Sequence, residues 1–323
     1  MTSDGNDVER LDLRTVALGG GHGLAASLAA LRRVVTDLTA VVTVADNGGS
    51  SGRLRTEFGC LPPGDLRQAL AALCGDDDWG DTWARVLQHR FATSGDLDRH
   101  AVGNLLIVAL WELLGDHVQG LDWVGRLLGA EGRVLPMALT PLDITALVEG
   151  LDPADPSART TVRGQVEVAT TPGILLGVSL DPADPLVCPE AAAAVDAADW
   201  VVLGPGSWFT SVIPHLLVPD LRRSLETTQA RTLVVLNLEP QQGETDGFAP
   251  ETHLDVLAAY APGLHVDVVL ADQSSLADEA ALRRVVTDLG AELVVADVAA
   301  DDGGPRHDPV KLAATYARVL GAA

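Results

Sequence analysis

Short apolar runs that end in glycine or polar residues recur along the chain and predict buried β-strands. The first is TVALG at residues 15–19, and the second is TAVVTVA at residues 39–45. Between them, residues 22–34 place apolar side chains at three- and four-residue spacing, which is typical of a helix. A strand, a helix and a second strand in this order predict parallel pairing with a right-handed crossover.

Short apolar runs typical of strands recur in the C-terminal part of the chain, after a stretch in which apolar residues have helical spacing. Apolar runs at residues 200–203, 232–236, 268–271 and 293–296 predict four more buried strands. Residues from about 62 to 150 instead repeat apolar side chains at helical spacing, as in GDLRQALAAL and GNLLIVALWELL. We predict an α/β fold of the doubly wound, Rossmann-like type, with a mostly parallel sheet in one domain at residues 15–323 and a helical insertion at about 62–150. Residues 1–14 are acidic and aperiodic, and they predict a disordered tail.

In an open parallel sheet, the loops at the carboxyl ends of the strands face one ligand crevice. The first such loop contains GGGHG, and Gly21, Gly23 and Ala26 match the G-x-G-x-x-A dinucleotide fingerprint. Glycine there lets a ligand approach the backbone, and the helix that follows offers free amides. With Asp46 at the end of the second strand, this pattern leaves an NAD-linked oxidoreductase open. A tight turn without a ligand is the structural alternative.

The second loop, DNGGSSGR at residues 46–53, favours a diphosphate over a hydride carrier. Its glycine amides and serine hydroxyls predict an anion-binding nest. An arginine attached to it, Arg53 or Arg55, is placed to clamp a phosphate with two hydrogen bonds. The chain has no G-K-[ST] sequence, which excludes a P-loop NTPase.

The charge balance of the chain excludes several partners. The formal net charge is −23, so we expect binding neither to nucleic acid nor to an anionic membrane, because both depend on Lys and Arg. No apolar run approaches the ~20 residues of a membrane span, and the N-terminus lacks the pattern of a signal peptide. Cys60, Cys74 and Cys188 fit no metal or disulfide framework. We therefore expect a soluble, cytoplasmic protein.

Several other segments place polar side chains at predicted strand ends or helix starts. Arg67 lies in the first turn of a predicted helix, where a cation is unfavourable unless an anion is near. The other candidates are His100 and Asn104 in HAVGN, Gly206, Ser207 and Thr210 in GPGSWFTS, Asn237 after a strand, and Arg306 before a helix. Each also has a structural explanation as a cap or a turn. GPGSWFTS lacks the G-x-S-x-G pattern of a serine nucleophile.

Seven motifs in order resemble the YvcK/CofD-like family over nearly the whole chain. They are GGGHGL, VTVADNGGSSGRLR, PPGDLRQAL, HAVGNLL, GPGSWFTSVIPHLL, GETDGF and RHDPVKLA. The likeness is closer to the gluconeogenesis factors than to their relatives, the 2-phospho-L-lactate transferases. The chain departs from the pattern of that branch where His22 replaces a threonine, Asn47 a second aspartate, Ala101 a serine, and Trp208-Phe209 a Leu-Tyr pair.

The resemblance implies a cytoplasmic regulator of carbon metabolism, cell-wall growth and cell shape that binds a nucleotide-diphosphate sugar such as UDP-N-acetylglucosamine. The ligand contacts that the resemblance and the loop patterns predict are Gly20, Gly21, His22, Gly23, Asp46, Asn47, Gly48, Gly49, Ser50, Ser51, Arg53, Arg67, His100, Asn104, Gly206, Ser207, Thr210, Asn237 and Arg306. We also expect a homo-oligomer, namely a dimer, and a regulatory protein partner that the sequence does not identify.

The alternative that the wider family implies is a Mg²⁺-dependent transferase, which moves a phospho-group from a nucleotide-activated donor to a deazaflavin. Asp46 is then both the catalytic residue and the Mg²⁺ ligand. Asn47 weakens this interpretation, because it removes one of two paired acids. The aromatic content of 4% also leaves few rings to stack on a deazaflavin. We expect no cofactor beyond this Mg²⁺.

Overall fold

The structure, a computed structural model, describes residues 10–322. Its strands are β1 (Leu11–Gly19), β2 (Val35–Val42), β3 (Arg133–Pro136), β4 (Asp143–Glu149), β5 (Arg159–Arg163), β6 (Ile174–Asp181), β7 (Trp200–Leu203), β8 (Arg231–Val235), β9 (Val268–Asp272) and β10 (Glu292–Ala296). Its helices are α1 (Gly21–Leu31), α2 (Gly49–Phe58), α3 (Gly64–Ala72), α4 (Asp78–Gln88), α5 (Val102–Leu114), α6 (His117–Leu128), α7 (Gln165–Ala169), α8 (Pro189–Ala197), α9 (Ile213–Leu217), α10 (Pro219–Thr227), α11 (Pro250–Tyr260), α12 (Glu279–Asp288) and α13 (Pro309–Gly321). A π-helical turn at Trp208–Val212 leads directly into α9.

Seven strands form the main sheet in the order β10-β9-β8-β7-β1-β2-β3. Every pairing in this sheet is parallel. The chain moves outward from β1 through β2 to β3 on one side, and from β7 through β8 and β9 to β10 on the other. The direction reverses between β1 and β7, and a ligand crevice opens at the carboxyl ends of the strands at such a point. The predicted Rossmann-like α/β fold is confirmed.

The central strands are buried over most of their length, as expected for a sheet with helices on both faces. Residues 15–19 of β1 and all four residues of β7 are buried. Leu, Val and Ala supply most of the core, and Trp200 and Trp208 are its largest fully buried side chains. The hydrophobic pattern of the sequence therefore determines both the strands and their central position.

A second, antiparallel sheet follows β3 and has the strand order β5-β4-β6. The hydroxyl of Tyr260 in α11 accepts a hydrogen bond from the amide of Val178 in β6 and donates one to its carbonyl oxygen. This tyrosine ties the small sheet to α11. Residues 165–166, at the start of α7, then reach the edge of the crevice.

Two predicted boundaries are wrong. β1 begins at Leu11, so residues 11–14 belong to a strand, and the amide and guanidinium groups of Arg14 both donate to Asp199. Residues 1–9 of the predicted tail lie outside the described residues. The helices of the insertion end at Leu128, because residues 133–136 pair with β2 and residues 143–149 form β4. That the chain is a single domain stays a prediction. No helix within residues 10–322 has the length and apolar character that crossing a membrane requires.

Candidate ligand-binding cleft

A long cleft runs along the carboxyl edge of the main sheet, where β1, β7 and β8 end. It consists of two adjoining cavities that share His22, Gly23, Gly206 and Gln241. We call it the main cleft, and we name its two parts after the residue at each far end, the Arg306 end and the Asp46 end. The cleft lies at the switch point of the sheet, on the carboxyl edge that the sequence predicts.

The Arg306 end has a volume of about 680 Å³, and its lining is largely apolar. Ala26 of α1, Leu238 and Pro240 after β8, and Pro305 and Pro309 before and in α13 supply apolar surface. The exposed side chain of Arg306 lies at its margin and forms an ion pair with Asp302. An apolar pocket with a few polar groups at its rim suits a flat heterocycle.

The Asp46 end has a volume of about 360 Å³ and is lined mainly by polar groups. Besides the glycine loop at residues 20–23, its lining residues are Asp46, Asp65, Gln68, Gln165, Val166, Ala169, Gly206, Ser207, Thr210, Ser211 and Gln241. Carboxylates, amides and hydroxyls at this density can bind a ligand that carries several hydroxyl groups.

The N-terminus of α1 lies where the two cavities meet. The N-cap residue Gly20 has no side chain to cap this helix, and the amide of Gly21 hydrogen-bonds to the carboxyl of Asp65, whereas the amides of His22 and Gly23 have no acceptor within residues 10–322. Free amides and the positive end of an eleven-residue helix favour an anion. Gly23 allows this geometry, because a β-carbon there would lie 2.3 Å from the carbonyl oxygen of Pro205 and 2.6 Å from Cα of Gly206.

The loop after β7 offers fewer free amides than its glycines and hydroxyls predict. Asn237, predicted as a ligand contact, accepts from the amide of Gly206 and donates to its carbonyl oxygen, both at 2.9 Å. The side-chain oxygen of Gln241 accepts from the amide of Trp208 at 3.2 Å, and its nitrogen donates to the hydroxyl of Ser207 at 3.1 Å. Asn237 and Gln241 therefore hold this loop in place.

Glu244 completes this capping of the helical segment at residues 208–217. Its buried carboxylate accepts from the amide of Phe209 at 3.0 Å and from the hydroxyl of Thr210 at 2.7 Å. Burial raises the pKa of Glu244, and these hydrogen bonds oppose the rise. An acidic side chain of the protein thus occupies the helix terminus that the sequence assigns to a ligand.

A hairpin-like segment at residues 298–308 forms one wall of the Arg306 end. Asp272, at the end of β9, accepts hydrogen bonds from the amides of Val298 and Ala299 at 2.7 and 2.9 Å. Lys311 donates from the other side to Asp297, Asp301 and the carbonyl oxygen of Ala299. Burial lowers the pKa of His307 in this segment to about 4, so its imidazole is neutral at pH 7. Hydrogen bonds from two sides therefore hold the start of the segment that carries Arg306.

Residues of the second glycine loop line two different cavities. Asp46 faces the Asp46 end, and its carboxylate accepts from the amide of Gly48 at 2.8 Å. Asn47 and Gly49 instead line a separate cavity of about 590 Å³, together with Gly52, Arg53, Thr56, Glu57, Asp96 and His100. The side chain of Asn47 donates to Glu167 and accepts from the amide of Val166, which holds α7 against the loop. Two anion-binding loops were expected in one crevice, and only the first of them, at residues 20–23, lies wholly along the main cleft.

The serines of this loop belong to a helix and not to an open nest, because α2 begins at Gly49. Ser50 and Ser51 are both buried. The hydroxyl of Ser50 lies 3.0 Å from Nδ1 of His100 and accepts from the side-chain nitrogen Nδ2 of Asn104 at 3.0 Å. Asn104 accepts in turn from Nε of Arg67 at 2.9 Å. This network joins α2, α3 and α5 outside the main cleft.

Arg53 and Arg55, of which one was expected to clamp a phosphate, and Arg67, which was expected to lie near an anion, have other partners. Arg53 donates to the carbonyl oxygens of Asp96 and Asp98, and Arg55 pairs with Asp143 at 2.7 Å. Arg67 is 2% exposed and bonds to Asn104 and Gln88. Burial lowers the pKa of Arg67 to about 10, so it stays charged at pH 7. None of the three lines the main cleft.

Asp65 is the acid of the cleft that sequence reasoning missed, because its place in PPGDL also fits a simple helix cap. It is 9% exposed and lines the Asp46 end together with Asp46. Burial raises the pKa of Asp65 to about 7, and the nearby Asp46 carboxylate adds to the rise. The first turn of α3 therefore supplies a second carboxylate beside Asp46, although Asn47 replaces the second aspartate of the family pattern. Gln68, one turn further on, and Gln165 and Gln241 had no distinguishing sequence signal.

Comparison with known proteins shows the family of this chain. The family model described as 2-phospho-L-lactate transferase CofD matches residues 15–304. The chain is 55% identical to a protein of Mycobacterium tuberculosis (strain CDC 1551 / Oshkosh) named "Putative gluconeogenesis factor", over 93% of this chain and 88% of the relative. It is 32% identical to a protein of Listeria monocytogenes named "Gluconeogenesis factor", over 93% of each chain.

A solved structure shares the fold closely. The crystal structure of a member of the UPF0052 family from Bacillus halodurans superposes with a TM-score of 0.84 at 30% identity. The match covers 94% of this chain and 98% of that chain. The arrangement of sheet and insertion is thus shared with this relative.

Proposed function

This chain belongs to the CofD family, together with relatives named gluconeogenesis factors, and we propose that it is a regulator that binds a nucleotide-diphosphate sugar in the main cleft. The observation that carries the proposal is the junction of two unlike cavities at the N-terminus of α1, where the amides of His22 and Gly23 have no acceptor within residues 10–322. The apolar Arg306 end takes the nucleoside, the amides of α1 bind the diphosphate, and the polar Asp46 end takes the sugar.

Two features favour a nucleotide sugar, with UDP-N-acetylglucosamine as the first ligand to test. A net charge of −23 makes capture of an anion depend on local amides, and α1 offers such amides. Among the described residues that line the main cleft, there is no Phe, Tyr or Trp to stack on a deazaflavin. In the cytoplasm, the bound fraction of the protein would follow the supply of the sugar nucleotide. The protein would thereby adjust carbon metabolism, cell-wall growth and cell shape to that supply. A dimer and a regulatory protein partner are part of the same proposal.

Calorimetry with UDP-N-acetylglucosamine tests the proposal directly, and Arg306 provides a variant. We expect Arg306→Ala to weaken binding roughly ten-fold or more, because a hydrogen bond from a charged donor contributes about 1.5–3 kcal/mol. Asp302→Asn should strengthen binding by roughly two- to five-fold, because it releases Arg306 from its exposed ion pair.

Arg223→Ala is the matched control, since Arg223 is also exposed and paired, with Asp220, but lines no part of the main cleft. Wild-type affinity is expected for it. No heat from the wild-type protein at millimolar ligand would contradict the proposed function. Equal losses in Arg306→Ala and Arg223→Ala would contradict the role of Arg306.

A Mg²⁺-dependent phospho-group transferase is the second candidate, and the Asp46–Asp65 pair favours it. No group of three or more His, Cys, Asp or Glu side chains that could hold a metal is found in residues 10–322. Two carboxylates still fit Mg²⁺, which is commonly bound by one or two carboxylates with waters and substrate phosphates. Asp46 and Asp65 would hold the ion, which would neutralise charge on a transferring phosphate. Family membership gives no support to an NAD-linked oxidoreductase.

Thermal unfolding at pH 8 tests this pair without any turnover. Millimolar Mg²⁺ is expected to raise the Tm of the wild-type protein by roughly 2 °C or more, because the ion binds only the folded pair. Asp65→Asn should remove this shift, whereas Asp302→Asn, at an exposed acid away from the pair, should keep it. If the shift survives in Asp65→Asn, the ion binds elsewhere. Incubation with an activated donor, deazaflavin and Mg²⁺ then decides turnover.

A further inference from the structure

A groove of about 590 Å³ lies between the first turns of α2 and the segment that precedes α5. We call it the α2 groove, and its lining residues are Asn47, Gly49, Gly52, Arg53, Thr56, Glu57, Asp96 and His100. None of these residues lines either part of the main cleft. The nucleotide sugar proposed for the main cleft therefore leaves the polar groups of this groove without a function.

His100 is the one buried side chain among the lining residues, with 6% of its surface exposed. Its Nδ1 lies 3.0 Å from the hydroxyl of Ser50. Its Nε2 has no hydrogen-bond partner within residues 10–322 and is not sealed from solvent, so it faces the groove. Because buried polar side chains are nearly always fully paired, an unpaired ring nitrogen here indicates the position of a ligand.

A chain of hydrogen bonds fixes which ring nitrogen of His100 carries the hydrogen. Arg67 can only donate, so Oδ1 of Asn104 accepts from it and Nδ2 of Asn104 donates to Ser50. The amide of Ala101 also donates to Ser50, at 3.4 Å, which fills both lone pairs of that hydroxyl. The hydroxyl hydrogen is left for Nδ1 of His100. Burial lowers the pKa of His100, so its ring is neutral at pH 7 and Nε2 carries the hydrogen.

Hydrogen-bond donors therefore meet in the α2 groove. Besides Nε2 of His100, the amide of Gly49 has no acceptor within residues 10–322, because Gly48 offers no side chain to cap the ten-residue helix α2. Arg53 uses two of its five N–H groups on carbonyl oxygens, which leaves the others for a ligand. A polarised chain of donors, a helix N-terminus and a guanidinium together favour an oxyanion such as phosphate.

Two carboxylates narrow the choice of oxyanion. Glu57 and Asp96 are exposed and line the same groove, and Arg53 is the only cation among the described lining residues. These acids repel a bare phosphate ion. They become favourable when the ligand also carries hydroxyl groups, because hydroxyls donate to carboxylates. The groups of the groove thus fit a phosphate joined to a polyol better than inorganic phosphate.

We propose that the α2 groove is a second binding site, which takes a phosphate monoester of a small polyol. The phosphate group accepts from Nε2 of His100, from the amide of Gly49 and from Arg53. The hydroxyl groups donate to Glu57 and Asp96. A volume of about 590 Å³ is within the usual range for sites that bind small molecules. The proposal does not rest on the proposed function, since the two sites share no lining residue.

Calorimetry on the full-length protein tests the proposal with three probes. Glucose 6-phosphate carries both a phosphate and hydroxyl groups, whereas inorganic phosphate and glucose each carry one of the two. We expect glucose 6-phosphate to bind about ten-fold or more tightly than either of the others, because each of them lacks hydrogen bonds to charged groups that the monoester forms. The affinity should fall as salt rises.

His100→Asn removes the donor at Nε2 and keeps a side-chain oxygen that can accept from Ser50. We expect it to weaken binding of glucose 6-phosphate about ten-fold, and Arg53→Ala to do at least as much. Arg90→Ala is the matched control, because the charge of Arg90 is near enough to lower the pKa of His100 but Arg90 does not line the groove. It should change the affinity by roughly two-fold at most. Circular dichroism checks that each variant is folded.

Removal of the two acids separates a specific site from a general attraction of anions. Glu57→Ala combined with Asp96→Ala should strengthen binding of inorganic phosphate, because the repulsion is gone. The same variant should weaken binding of glucose 6-phosphate, because the acceptors of its hydroxyl groups are gone. A loss of structure would weaken both.

Several outcomes would overturn the proposal. They are no heat from glucose 6-phosphate at millimolar concentration, equal affinity for inorganic phosphate, full affinity in His100→Asn, and an equal loss in Arg90→Ala. Competition by UDP-N-acetylglucosamine would place the sugar phosphate in the main cleft and would also overturn it. A failure of UDP-N-acetylglucosamine to bind contradicts the proposed function alone, and leaves the α2 groove to be judged by these probes.

Discussion

Asp65→Asn is expected to make the folded protein more stable above neutral pH, by roughly 4 kcal/mol at most. The carboxyl of Asp65 is buried beside Asp46, and its pKa of about 7 lies well above the ordinary value of 3.8. The folded protein therefore binds this proton more tightly than the unfolded chain does. The free energy of unfolding of the wild type should fall as pH rises from about 4 to about 7, and stay low above that.

The asparagine variant has no proton to lose at this position, so its stability should lack this fall. Urea unfolding at pH 5 and pH 8 gives the free energy of unfolding of both proteins. The effect is the change, between the two pH values, in the difference between wild type and variant. Asp302→Asn is the control, because this exposed acid is ionised in folded and unfolded states throughout that range. Parallel pH profiles for wild type and Asp65→Asn would show that Asp65 ionises normally. A confirmed profile would mean that the cleft keeps a carboxylate pair at a cost in stability, as functional sites do.

Gly23→Ala is expected to weaken binding of UDP-N-acetylglucosamine at least ten-fold and to lower stability by about 1–3 kcal/mol, the usual cost of overpacking. The added β-carbon would lie 2.3 Å from the carbonyl oxygen of Pro205. The atoms it meets are backbone, so the loops after β1 and β7 have to move apart. That movement displaces the amides at the start of α1, on which the diphosphate site depends.

Gly125→Ala is the matched control for this substitution. Gly125 lies inside α6, and the nearest atoms to an added β-carbon are 4.0 Å away. Alanine there should stabilise the protein by about 0.5–1 kcal/mol, because glycine is unfavourable within a helix. Urea unfolding and calorimetry measure both variants. Wild-type affinity in Gly23→Ala would show that the close approach of the two loops is not needed for binding.

Much of the candidate site was predicted from the sequence. Gly20, Gly21, His22 and Gly23, together with Asp46, Gly206, Ser207 and Thr210, were predicted as ligand contacts, and all of them line the main cleft. Arg306 and Asn237 lie at its other end. Whether each touches a ligand stays a prediction. Most of these positions lie in a loop between a strand and the next helix or in the first turn of that helix, so the fold itself brings them to the crevice.

Prediction failed where a polar side chain could be satisfied by a distant part of the chain. Ser50 and Asn104 are 54 positions apart, and Arg67 and Asn104 are 37 positions apart, yet they form one buried network. Asn237 accepts a hydrogen bond from the amide of Gly206, which lies 31 positions away in the sequence. A buried polar group is nearly always hydrogen-bonded, but the amino-acid sequence does not show which partner lies close to it in the fold.

The sequence by itself determined the order of strands, glycine turns and helices, and with it the edge of the sheet where a ligand lies. The physical reason is that period, turn chemistry and strand direction are local properties of the chain. Only the tertiary structure decided which polar groups face that edge. The start of α2 at Gly49 turns Ser50 inward, and the packing of α3 brings Asp65 to Asp46, because side-chain direction and partners depend on how separate elements pack.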